Sequence, residues 1–155
     1  MRMILIILLC CCTSAAAAHD GSVTVAGAGA LIRYRGMLLA LDGAMTDPAG
    51  QAVDLRLRSG SLPLWQSINR RKGKVRVRIT ALPGPGEAPA LLLDFGKNGY
   101  RIVILSTGMA EQDYPLLAQR YPGADVALLL ENGQRVIVRG EQLQTSPFHF
   151  SDIKR

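Results

Sequence analysis

The 155-residue sequence predicts an α+β fold: a β-rich two-sheet sandwich with one main helix at about 110–121. Three observations carry that expectation. Residues 53–58 and 74–82 alternate apolar and charged side chains with a period of two, as half-buried strands do. Turn chemistry at Asp42-Gly43, Asp47-Pro48-Ala49-Gly50, Pro83-Gly84-Pro85-Gly86 and Asn132-Gly133 cuts the chain into short segments. One stretch, Tyr114, Leu117, Ala118 and Tyr121, repeats at i, i+3, i+4 and i+7, giving a single apolar helical stripe.

The elements follow in order. Residues 22–26 predict a first strand, after which Gly27-Ala28-Gly29 permits a bend or a close backbone approach. Residues 30–35 and 37–41 predict a hairpin about Gly36. In the next strand Val53, Leu55 and Leu57 point one way, and Asp54, Arg56 and Arg58 the other. Residues 59–73 are irregular, with Trp65, the sole tryptophan, expected as their anchor. In residues 74–82, Val75, Val77 and Ile79 oppose Lys74, Arg76 and Arg78. Residues 90–95 and 100–105 predict a second hairpin. The helix takes Thr107 as its N-cap, with Glu111 and Asp113 in the first turn, where the macrodipole favours acids. Pro115 is tolerable only near its start, and Pro122-Gly123 ends it. Residues 124–130, apolar except for Asp125, predict a central strand; Asn132-Gly133 predicts a hairpin into 135–139. The last fifteen residues are weakly patterned.

Residues 1–18 are expected to be a cleaved secretory signal rather than part of the fold. Arg2 supplies a basic start, residues 4–12 an apolar run, and four alanines a small-residue exit ending at Ala18. The run from 4 to 18 is shorter than the roughly 18–20 residues a spanning helix needs. Leu9 before Cys10 is not the small residue a lipobox requires. Cys10, Cys11 and Cys12 all lie in this segment, so residues 19–155, read as a single domain, contain no cysteine and only His19 and His149. Export thus predicts a periplasmic or extracellular protein without disulfides or thiolate ligands.

Four blocks carry a family resemblance. Residues 28–42 (AGALIRYRGMLLALD) are a hairpin ending in an acid, and Trp65 precedes the VRVRITALPG of 75–84. LLLDF at 91–95 leads to RIVI at 101–104, and RYPGADVALL closes the series at 120–129. In this order they resemble the metallo-β-lactamase fold, in the branch of hydrolases related to lactonases and N-acyl phosphatidylethanolamine phospholipase. That resemblance implies a sandwich and, in active members, metal held by an H-x-H-x-D-H loop, a later His and a bridging Asp. Here the H-x-H-x-D-H loop is missing. Pro83-Gly84-Pro85-Gly86-Glu87 has no His where the later one belongs, and Ser106 stands nearest the bridging Asp position. His149 alone is left to stand in for the last family His. The resemblance therefore implies a shortened fold that lacks the metal-binding motif.

The chemistry of the residues agrees. A catalytic zinc takes three protein ligands and an open position for water, whereas two histidines near opposite ends offer at most a site completed by Asp42 or Asp94. Asp42 reads better as a turn residue at a strand end. Ser106 and Ser146 lie in no nucleophile elbow, and Ser106 reads as a hairpin or cap residue. Gly27-Ala28-Gly29 precedes a strand rather than a helix, which excludes a dinucleotide fingerprint. Glu87, Asp94, Glu111 and Asp113 read as solvated acids rather than a glycosidase pair.

The remaining unusual feature is basic. Between residues 55 and 86 stand Arg56, Arg58, Arg70, Arg71, Lys72, Lys74, Arg76 and Arg78, with no acid among them. Lys74, Arg76 and Arg78 are expected on one strand face about 6.6 Å apart. With Arg70, Arg71 and Lys72 they form a candidate anion-binding set, whose charges would also discourage edge pairing. An anionic ligand or membrane surface is the expected partner; nucleic acid is disfavoured by export and by few aromatic platforms. The expectation is an exported, catalytically inactive metallo-β-lactamase-like protein acting as a binding or accessory module, without cofactor and, once the signal is removed, without an integral membrane span. The alternatives are a metal-dependent hydrolase with an atypical ligand set and a small periplasmic anion-binding β domain.

Overall fold

The computed structural model describes residues 21–26, 29–43, 50–107, 109–131, 134–137, 143–145 and 148–150. The signal segment, His19, Asp47, Asn132-Gly133 and Ser146 lie outside the described residues. Two mixed sheets face each other. Their strands in chain order are β1 Gly21–Ala26, β2 Gly29–Tyr34, β3 Met37–Leu41, β4 Leu55–Leu57, β5 Ser67–Lys72, β6 Val75–Leu82, β7 Ala90–Asp94 and β8 Arg101–Leu105. A 3-10 turn Glu111–Asp113 and helix α1 Leu116–Arg120 follow, then β9 Val126–Leu129, β10 Gln134–Ile137, β11 Leu143–Thr145 and β12 Phe148–His149. One sheet runs β12-β1-β2-β3-β4, the other β11-β10-β9-β8-β7-β6-β5. Within each, one neighbouring pair is parallel, β3 with β4 and β8 with β9.

The β2–β3 turn is built on Arg35 and Gly36, both at positive φ (46° and 84°). Two successive left-handed residues match the twist of the flanking strands, which is why a glycine stands there. The inner faces of both sheets supply the main core. Val23, Ile32, Leu39 and Leu41 meet Val77, Ile79, Leu93, Ile102, Ile104, Val126 and Leu128 across it. Each such side chain contributes about 1.5–3 kcal/mol on burial. Four rings belong to this core: Tyr34 and Phe95 lie with centroids 4.3 Å apart, Tyr100 and Phe150 4.9 Å apart. β9 is flanked by β8 and β10 with all four residues buried, as its unbroken apolar run predicts.

Several elements differ from expectation for identifiable reasons. The helix is not continuous over 110–121. Pro115 has no N–H to give to Glu111, so a 3-10 turn stops there and the α-helix starts afresh at Leu116. Leu117 and Tyr121 are buried as the stripe requires, but Ala118 is exposed. Thr107 caps nothing: Ala110 precedes the turn, and the buried Thr107 and Ser106 hydroxyls have no hydrogen-bond partner. The strand expected over 53–58 shrinks to Leu55–Leu57. Val53 leaves the main core and packs instead on Leu31, Leu38 and Ala40, on the opposite face of the smaller sheet. Residues 67–72 are a strand rather than irregular, and β5 lies at the sheet edge. The last fifteen residues supply β11 and β12.

Trp65 does not anchor its segment. It is 69% exposed and sits at φ 68°. What holds the segment is backbone: Trp65 N–H donates to Ala81 O at 2.8 Å, and Ala81 N–H to Gln66 O at 3.0 Å. Asp42 is a turn residue, as read from the sequence. It follows β3 at φ 37°, and its carboxylate accepts from the Ser59 N–H and hydroxyl.

Candidate functional site

The outer face of the larger sheet, turned away from the smaller one, is where the exposed chemistry collects. Its strands place side chains there by alternation. β6 contributes Arg76, Arg78, Thr80 and Leu82; β7 contributes Leu92 and Asp94; β5 contributes Ser67, Asn69 and Arg71. Helix α1 covers only part of this face. Leu117 and Tyr121 pack on Val103, Leu105, Ala127 and Leu129, over β8 and β9. The rows over β6 and β7 stay open, with Leu82 and Leu92 half-buried.

At one end of the open strip lies the basic group. Pairing sets Arg71 of β5 directly opposite Arg76 of β6, while Arg78 stands two residues along, between Asn69 and Asp94. Directly opposed side chains have Cβ atoms roughly 5 Å apart, and like charges so placed destabilise the pair. Arg71 partly resolves this by donating its Nε–H to Gly73 O at 2.9 Å, and Arg78 donates to Ser67 Oγ at 3.3 Å. Asp94 is occupied elsewhere, accepting from Gly96 N–H at 2.8 Å and Arg101 Nε–H at 3.1 Å.

The six basic residues singled out in the sequence are divided by the fold. Arg71, Arg76 and Arg78 share the outer face. Arg70 and Lys72 lie on the other face of the β5–β6 hairpin, opposite Val77 and Val75. Lys74 does not extend the Arg76–Arg78 row, because Gly73 (φ 57°) and Lys74 form the turn between the strands. Lys72 donates to Asp54 at 2.8 Å. Partial burial pushes the Asp54 carboxyl upward, but the Lys72 ammonium and the Leu38 N–H outweigh it and hold the group below its usual 3.8. Lys72 therefore acts in structure, binding β5 to the smaller sheet.

At the other end of the strip, beyond the Ser67–Thr80 hydroxyl pair, lies a cleft of about 550 Å³. Leu82, Leu92, Tyr121, Pro122, Ala124 and Trp65 give it apolar walls, and Arg120 is its one charged lining residue. Two details shape it. Tyr121 donates its hydroxyl to Pro83 O at 2.8 Å, tying the helix end to the loop after β6. Burial pushes the Tyr121 phenol up, against a smaller downward pull from Arg120, so it remains a donor at neutral pH. Gly84 lets that loop fold back: a Cβ there would meet Ala88 O at 2.1 Å. Sequence reading misses the cleft because its walls come from four separated segments. Trp65 is the visible signal, but an anchor is expected in the interior and this ring stands at the rim.

The positions singled out in the sequence as possible stand-ins for metal ligands lie on separate elements. Ser106 follows β8, the loop from Pro83 to Glu87 follows β6, and His149 lies on β12, opposite Ser22 of β1. A hydroxyl, one exposed carboxylate and one imidazole on separate elements do not make a metal site, and among the described residues no three of His, Cys, Asp and Glu come together. Among the described residues no helix is long and apolar enough to cross a membrane. Comparisons with protein-family models, curated proteins and solved structures find no match to this chain.

Proposed function

We propose that this chain is an exported, non-catalytic binding module whose outer sheet face docks on an anionic surface, in a shortened metallo-β-lactamase-like sandwich. The observation that carries the reading is Arg71 facing Arg76 across two strands, with Arg78 next along the same exposed face. Placing two guanidinium groups in register costs stability. A phosphate-bearing partner offsets that cost through charge-assisted, bidentate hydrogen bonds, for which guanidinium is better suited than ammonium. The same charges on an edge strand also deter pairing with another chain, but that purpose does not require arginines directly opposed.

The family part of the reading rests on the four resembling blocks of the sequence and their order. The non-catalytic part is supported by the separation of the possible stand-in ligands on different elements. The binding part depends on neither. Co-sedimentation with phosphatidylglycerol vesicles and with phosphatidylcholine vesicles tests it. Binding to the first and not the second is expected; equal binding, or none, contradicts it.

A further inference from the structure

The cleft at the far end of the same face has a chemistry of its own. It is walled by apolar side chains of β6, β7 and the helix end, and about 550 Å³ lies within the range of small-molecule sites. Its single charge, Arg120, is exposed, and among the described residues no acid pairs with it. Trp65 at the rim keeps a large apolar ring in water, held there by a left-handed φ and by the backbone hydrogen bonds that Trp65 and Gln66 make with Ala81. With the backbone already fixed, only side-chain freedom is lost when the indole binds, and its ring gains burial.

We propose that this cleft binds a single-chain amphiphile with a carboxylate head, the chain lying along Leu82, Leu92 and Ala124 under Trp65 and the head paired with Arg120. The charge argues for the head: one cation at the edge of an otherwise apolar site selects an anion over a neutral or cationic group. The walls argue for the tail, since they present few polar partners beyond the Tyr121 hydroxyl, already given to Pro83. This site is separate from the Arg71–Arg76 pair and does not rest on the surface-docking reading.

Trp65 is the chain's only tryptophan, so its emission reports on the cleft directly. Octanoate, decanoate and laurate are titrated below their micellar concentrations against the purified protein, with dodecanol and dodecyltrimethylammonium as the neutral and cationic controls. The emission should move to the blue, with affinity rising about two- to fourfold per added methylene and laurate binding at least about tenfold tighter than dodecanol. Arg120→Gln, at an exposed position, should abolish the preference for laurate while leaving dodecanol binding and the far-ultraviolet dichroism unchanged. No spectral shift, or equal affinity for the three dodecyl compounds, overturns the proposal. So does a laurate preference that survives Arg120→Gln but disappears in Arg76→Glu/Arg78→Glu, which would assign the anion to the basic pair instead. Failure here leaves vesicle docking intact, and failure of vesicle docking leaves this result intact.

Discussion

Lys72 Nζ lies 2.8 Å from Asp54 Oδ2, and that same oxygen accepts the Leu38 N–H at 2.8 Å. One carboxylate thus links the edge strand of the larger sheet to the backbone of the smaller. The two partners are unequal. Lys72 is nearly half exposed and screened, worth roughly 0.5 kcal/mol, whereas the hydrogen bond from Leu38 is part-buried. Asp54→Ala should cost about 1–2 kcal/mol in urea unfolding at pH 7 and Lys72→Ala about 0.5 kcal/mol. Equal costs would mean that the ion pair, not the backbone bond, dominates.

The same carboxylate sets an acid dependence. The folded pKa lies below the ordinary 3.8, so the folded chain binds fewer protons than the unfolded one as pH falls past that value. The stabilisation is complete above 3.8 and disappears as pH drops through the lower, folded value. Asp54→Asn should therefore differ from the parent at about pH 6 and converge with it at the acid end, measured by denaturant titration at each pH. A difference that persists undiminished at the acid end would contradict the assignment.

Tyr121 gives the alkaline counterpart. Its phenol is raised above 10, so between that value and the folded one unfolding releases a proton and stability declines as pH rises. Tyr121→Phe should cost about 1 kcal/mol near neutrality, from the bond to Pro83 O, and should flatten the decline above pH 10. A decline as steep in the variant as in the parent would place its cause elsewhere.

Trp65 tests the correction to its expected role. A buried tryptophan truncated to a small residue costs about 3–5 kcal/mol. An exposed one at a left-handed φ should cost far less, because glycine relieves the backbone while losing little burial. Trp65→Gly is expected to change stability by less than about 1 kcal/mol. A loss above about 3 kcal/mol would restore the anchor reading.

Much of the fold was legible because local chemistry and tertiary role agree. The apolar run of β9 fits a strand buried on both faces, and Gly36 fits a hairpin turn. Legibility failed where the controlling partner is distant or the pattern is weak. β5, with the sequence SINRRK, has only Ile68 as an apolar side chain, because an edge strand buries little. Lys74 fits the alternation of β6 yet belongs to the turn, since a two-residue loop needs both Gly73 and its neighbour. Val53 fits the alternation of Leu55 and Leu57 but packs on the opposite face, because Asp54 bends the chain to reach Leu38. For the candidate site, the basic residues were visible, but their division between two faces depends on β5–β6 register, which the charges do not encode. The cleft depends on contacts among β6, β7, the Trp65 segment and the helix end, with no local signature.

The docking face is tested most directly by reversing Arg76 and Arg78 and following affinity for phosphatidylglycerol vesicles over a range of salt. Each cation near an anionic surface contributes about 1 kcal/mol, so Arg76→Glu/Arg78→Glu should weaken binding at least about thirtyfold and flatten its salt dependence. The same double change sets one carboxylate opposite Arg71, which relieves repulsion, and another opposite Asp94, which adds it, so the two effects offset and the variant should stay within about 0.5 kcal/mol of the parent. Weaker binding by a protein of near-parental stability is the result predicted for a face that serves a ligand. Unchanged vesicle affinity and salt dependence in a folded variant would contradict the account.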